Sequence, residues 1–214
     1  MGVVNSKVHL SQQELKYKTI CQNTYVEDIP IGCWAVKDLT WMIKLKSENY
    51  NFNVTDDYGK TPLHYAVDYP DSFFLLLETN VYLYQTDLEG NTPLHYAVLT
   101  DNTRLIKPLM RSIITKNNAG YSPFHLAVRN SKYDNVCFII NNIKDSLFFK
   151  KDYLINDFRD SKNMSIVENA IFNNDIKMLT LLKDFIDIKK AKAYLTQHGK
   201  KDYDSALKIM NLLL

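Results

Sequence analysis

The stretch "GKTPLHYAV" at residues 59–67 is written again as "GNTPLHYAV" at residues 90–98. A third version, "GYSPFHLAV", occupies residues 120–128. A worn fourth, "KNMSIVENAI", sets Ser165 and Ala170 in the threonine and alanine places. Upstream, "PIGCWAV" at residues 30–36 places Ala35 and Val36 one period before Ala66 and Val67. A chain that restates one sentence every 30 or 31 residues is constrained to fold as stacked copies of one small unit.

The physics of each copy is readable. Gly59, Gly90 and Gly120 close a polar turn that needs positive φ. Thr61, Thr92 and Ser122 carry the hydroxyl that caps a helix. Pro62, Pro93 and Pro123 follow at the first helical position, where a missing N–H costs nothing. Leu63, Ala66 and Val67 supply a short apolar face, with alanine small enough to admit a neighbouring helix. A second helix is predicted in each copy, over "DSFFLLLE", "NTRLIKPLM", "DNVCFIIN" and "NDIKMLTLLKDF". One such pair cannot bury its own apolar face, whereas a stack can. The hydrophobic share of 46% is sufficient for a continuous core.

The pattern D-x-x-G-x-T-P-L-H-x-A, present as "DDYGKTPLHYA" and "DLEGNTPLHYA", resembles the ankyrin repeat. The resemblance spans about residues 29–187. It implies an all-α solenoid of stacked helix-turn-helix units, five to six in number, with degenerate end caps. We therefore divide the chain into an N-terminal arm (1–28) and a repeat domain (29–214), with an insertion around 141–160. There are departures from the family pattern. The period is shorter than the usual ~33 residues. The loop glycine after the second helix is missing, and Asn80 is expected to take its left-handed conformation. Pro108 is expected to kink a second helix.

The ends read less clearly. Ser11-x-x-Glu14 forms a capping box, predicting a helix over about residues 12–22. The C-terminal stretch reads as a further helix pair, with "HGKKD" as its turn and Asp202 or Asp204 capping a helix through Leu214. In the insertion, Phe148 and Phe149 precede Lys150 and Lys151, and the two phenylalanines suit burial and an exposed docking point equally.

Chemistry is sparse. No nucleophile elbow, phosphate loop, zinc-protease signature or dinucleotide turn occurs. A catalytic site, a metal and a cofactor are not expected. His64, His95 and His125 recur one per copy, about 10 Å apart on a helix-diameter scale and so too far to share one ion. The ankyrin resemblance implies that each bonds the nearby threonine or serine hydroxyl and a neighbouring carbonyl. Tyr65 and Tyr96 are expected to pack with satisfied hydroxyls. Cys33 and Cys137 are expected in the core, and three scattered cysteines fit a reducing compartment. The net charge of +2 does not favour nucleic acid as a partner.

The function the resemblance implies is non-enzymatic protein–protein interaction: an adaptor or scaffold. An inhibitor or regulatory subunit that occludes a partner enzyme would use the same surface. The contact face expected comprises Asp57, Tyr58, Lys60, Asp68, Tyr69, Leu88, Glu89, Asn91, Leu99, Tyr121, Arg129 and Asn130. These flank the turn glycines or follow the "AV" pairs, the positions that vary in the resembling family. Tyr58 and Tyr121 are expected to protrude. A monomer bound to an unidentified protein partner is expected. Finally, "MGVVNSK" presents Gly2 and Ser6 in the spacing of an N-myristoylation signal, which places the chain in the cytoplasm at a membrane face. Lys7, Lys16 and Lys18 form a weak basic patch there, and Cys21 is a candidate palmitoylation site.

Overall fold

The first turn of the unit is set by one aspartate. In the computed structural model, Asp56 Oδ1 accepts from the N–H groups of Tyr58 (3.0 Å) and Lys60 (2.8 Å), and Gly59 turns the corner at φ 73°. The structure describes residues 25–26, 29–144, 150–198 and residue 211. Two compact units divide the chain, residues 1–81 and 82–214.

The first unit opens on a two-residue antiparallel ribbon, β1 (Tyr25–Val26) with β2 (Ile29–Pro30), pairing Val26 with Ile29. Helices α1 (Ile31–Ala35), α2 (Leu39–Ser47), α3 (Pro62–Ala66) and α4 (Pro70–Leu77) follow. Asp38 caps α2 by accepting from Thr40 N–H at 2.9 Å. Asn49 ends it at φ 55°. Asn tolerates that conformation because its short polar side chain bonds locally. Helix α1 packs on α3 and α2 on α4. Between them lie Ile31, Cys33, Trp41, Met42, Leu45, Leu63, Ala66, Phe73 and Leu76, all buried. Five-residue helices such as α1 and α3 are far below the length that is stable alone, so this packing is what holds them.

The second unit contains α5 (Pro93–Ala97), α6 (Ile106–Leu109), α7 (Pro123–Arg129), α8 (Tyr133–Lys144), α9 (Lys151–Asn156), α10 (Ile166–Phe172), α11 (Ile176–Leu182) and α12 (Ile188–His198). The first helices α5, α7 and α10 pack in sequence, and α8 packs against α7 and α11. Outside the ribbon, the described residues form helices and turns alone. Inside the insertion, α9 buries Leu154 and Ile155. Asn156 ties it to the approach of α12, donating to Phe185 O (2.9 Å) and accepting from Asp187 N–H (2.9 Å).

Three expectations are corrected. Pro108 does more than kink its helix: α6 shrinks to four residues between the 3-10 turns Thr103–Leu105 and Met110–Ser112. Proline supplies no N–H for the α-helical bond and crowds the preceding turn. Asn80 is not left-handed; among the described residues that conformation falls on Asn49, Ser131, Asn163 and Asn174 besides glycine. Instead its carbonyl accepts from Asn53 Nδ2 at 2.8 Å. Cys137 is exposed, not core. Helix α8 turns Val136, Ile139, Ile140 and Ile143 inward, and the 3.6-residue period sends Cys137 outward beside Asn141. Gly2, the helix over 12–22, Cys21, Phe148, Phe149 and the C-terminal pair beyond His198 lie outside the described residues, apart from residue 211.

Candidate protein-interaction surface

Each unit's surface rests on a repeated polar frame. In the second unit, Asp87 Oδ1 accepts from Glu89 N–H (3.0 Å) and Asn91 N–H (2.8 Å), as Asp56 does upstream. Asn117 Oδ1 accepts from Tyr121 N–H (3.0 Å). Asp160 Oδ1 accepts from Lys162 N–H (2.8 Å) and Met164 N–H (2.9 Å). One Asx-type turn is thus built four times. Gly90 and Gly120 stand at φ 77° and 78°. They are also where neighbouring turns touch: a Cβ on Gly120 would sit 2.5 Å from Ser161 Cβ, and one on Gly90 would sit 2.9 Å from Asn118 N. Asn118 N–H donates to Glu89 O at 2.9 Å, linking two tips directly.

The capping hydroxyls and histidines complete the frame. Thr61 N–H donates to His64 Nδ1 (3.0 Å), and Thr92 N–H donates to His95 Nδ1 (2.9 Å). An Nδ1 that accepts carries no proton, so the ring's hydrogen is on Nε2. From there His95 donates to Tyr121 O (3.1 Å) and His125 to Phe158 O (3.3 Å). Ser122 Oγ lies 2.9 Å from His125 Nδ1. Burial pushes the His125 imidazole down to about 4; Lys116 adds to this, and Asp160 opposes it. The ring is therefore neutral at physiological pH. Both nitrogens of His95 and His125 are spent on the fold, leaving no lone pair for a ligand. Among the described residues, no group of three or more His, Cys, Asp or Glu is placed to hold a metal ion.

The tyrosine hydroxyls are committed as expected. Tyr65 donates to Asp56, and Tyr96 donates to Asp87 Oδ2 at 2.6 Å. Burial first, and the aspartate second, raise both phenols above their ordinary value. Cys33 is buried, and burial with nearby Asp56 pushes its thiol up to about 12, so it stays protonated and unreactive.

The expected contact residues fall into two groups. Tyr58 is 71% exposed and Leu88 70%, each at a turn tip. Asp57, Asp68, Tyr69, Glu89, Leu99 and Asn130 are exposed too, and Lys60 is half-buried. Two residues differ from expectation. Asn91 is 8% exposed, because its amide is held inside the turn by Glu89 (3.0 Å), Tyr96 (3.4 Å) and Asn117 (2.8 Å). Tyr121 does not protrude; it is half-buried, with the Arg129 guanidinium 4.6 Å from its ring centre. Arg129 is half-buried and also donates to Asn169 Oδ1 at 3.2 Å.

Phe172 was not expected at this surface. It is 62% exposed and lies seven residues beyond Ser165, the register that Leu99 and Arg129 hold beyond Thr92 and Ser122. The signal was present: Ser165 aligns the worn copy, and counting forward from it reaches Phe172.

No curated protein matches the chain. A family model described as ankyrin repeats, in three copies, matches residues 68–150. The same turn and cap at Asp56–Thr61 and at Asp160–Ser165 carry that geometry past both ends of the match. Residues 68–150 of this chain are ankyrin repeats, a family of generally non-catalytic protein–protein interaction modules.

Proposed function

We propose that the chain is a non-enzymatic adaptor that binds a protein partner through its turn tips and the ends of its first helices. One observation carries this reading. Tyr58 and Leu88, large apolar side chains, stand exposed at turns whose backbone is held by Asp56 and Asp87. A side chain that contributes nothing to folding and exposes apolar area is available for association. Asp57, Asp68 and Tyr69 accompany Tyr58 in the first unit, and, separately, Glu89, Leu99, Arg129 and Asn130 accompany Leu88 in the second. The test is affinity capture with the full chain beside a Tyr58→Ala, Leu88→Ala variant, with bound proteins identified by mass spectrometry. The variant loses the specific partner at unchanged thermal stability. Full retention of that partner by a folded variant rejects the surface.

The arm, residues 1–28, is read as a tether to the repeat domain at 29–214. The Gly2 and Ser6 spacing supports myristoylation at Gly2. Among the described residues no helix is long and apolar enough to cross a membrane. One acyl chain binds bilayers only marginally, so the reading is a cytoplasmic protein held reversibly at a membrane face, with the partner supplying the remainder. Intact mass from a eukaryotic host shows the acyl group. An unmodified Gly2 in that host removes the tether.

A further inference from the structure

In the second unit four carboxylates around the last two first-helices are already engaged. Asp157 pairs with Lys190 and Glu168 with Arg159. Asp160 accepts from two backbone amides and from Asn169 Nδ2 (2.9 Å). Asp175 accepts from Ser131, Tyr133 and Met178 N–H. Two cations nearby are not neutralised in this way. Arg129 stacks on Tyr121 and donates to the neutral Asn169 amide. Lys162 is exposed and stands 6.0 Å from the ring centre of Phe172. Among the described residues neither is salt-bridged to an acid.

These groups form one patch. Asn173 Nδ2 donates to Arg129 O (3.3 Å), joining the ends of α7 and α10. Gly120, beside Tyr121, abuts Ser161, beside Lys162. Along the patch, the seventh position after each cap runs apolar, basic, apolar: Leu99, Arg129, Phe172. Packed helices lie roughly 8–10 Å apart. A polyproline II segment advances about 3.1 Å per residue with three residues per turn, so positions i and i+3 share one face and step from one helix to the next.

Resting on the protein-binding reading above, we propose that this row docks an extended acidic segment of a partner protein. An aspartate or glutamate faces Arg129, and apolar residues three positions to either side meet Leu99 and Phe172. A further acid reaches Lys162. The warrant is complementarity: an exposed cation beside an apolar side chain suits a partner's carboxylate, and among the described residues no acid forms a salt bridge with Arg129 or Lys162. Phe172, the most exposed of the row, is the apolar anchor.

The experiment selects a random displayed-peptide library on the full chain, then measures the enriched peptides on Lys162→Glu, Arg129→Gln and Phe172→Ala variants whose folding is checked by circular dichroism. Lys162 and Phe172 are exposed, so those two variants fold even if Arg129→Gln does not. The expected pool is acidic at one position with apolar residues three places away, and binds about tenfold more weakly to each variant. A neutral or basic pool, an acidic pool indifferent to these substitutions, or no enriched pool overturns the inference. So does retention of the chain on phosphatidylserine vesicles, sensitive to Lys162→Glu, without an acidic peptide pool. A pool lost with Leu88→Ala yet unaffected at Arg129, Lys162 and Phe172 overturns this inference alone and leaves the protein-binding reading standing.

Discussion

The unit at Asp87–Ala97 and the unit at Asp160–Phe172 reach the same local geometry with different side chains. Gly90 turns the first at φ 77°, Asn163 the second at φ 60°. The cap N–H of Thr92 goes to His95 Nδ1 at 2.9 Å, and that of Ser165 goes to Glu168 Oε2 at 2.9 Å. Tyr96 Oη meets the aspartate of the first turn, while Asn169 Nδ2 meets that of the second. What differs is the direction of the next bond. His95 reaches forward to Tyr121 of the following turn, whereas Glu168 pairs backward with Arg159 of its own turn. The consensus histidine thus serves two repeats and the glutamate one.

The comparison breaks most visibly at the turn glycine. Gly90→Ala combines a left-handed φ with a clash against the Asn118 backbone, and costs about 3–4 kcal/mol in chemical denaturation. Asn163→Gly, at the matching place, changes stability by less than about 0.5 kcal/mol, since Asn already adopts that φ. Equal effects at the two sites would deny their equivalence.

Acid next separates a histidine cap, that of the middle copy at Ser122–His125, from the glutamate cap. His125 is neutral in the folded protein down to about 4, while the unfolded chain protonates near the ordinary value of 6.5. Between those values the unfolded state binds the extra proton. The His125 contribution is therefore complete above pH 6.5 and is lost as pH falls through the window, by about 3 kcal/mol at its lower end. Urea unfolding at stepped pH shows this slope in the wild type, and His125→Gln removes that part of it.

Smaller effects sharpen the picture. Glu168→Ala frees the Ser165 N–H and leaves Arg159 without its acid, costing about 2 kcal/mol. Tyr96→Phe removes the hydroxyl's bond to Asp87 and its acceptance from the Asn91 amide, and costs about 1 kcal/mol, measurable by thermal unfolding.

What could be read beforehand was local. Gly59, Thr61 and Pro62 announce φ, cap and first turn within four residues, and Pro108 announces a break. What could not be read depends on how elements meet. Asn91 looked like a surface residue because it follows a turn glycine, yet three partners draw its amide inward. Cys137 sits in an apolar run whose helical phase alone decides its side. Tyr121 owes its half-buried state to Arg129, eight residues on. Phe172 was reached only by counting seven positions from Ser165, because its copy keeps the cap and the alanine but not the proline and histidine around them.

The forward histidine bonds have a consequence for how the second unit comes apart. His95 on Tyr121 and His125 on Phe158 make each repeat's cap a shareholder in the next repeat's turn. Opening one repeat therefore strips a bond from the one before it. In a chain of nearest-neighbour couplings, an interior repeat released alone breaks two junctions, whereas an end repeat breaks one. Unfolding is then a zipper that starts at an end, and amide exchange within the unit should be slowest around Tyr121 and Ser122, whose repeat has a junction on both sides.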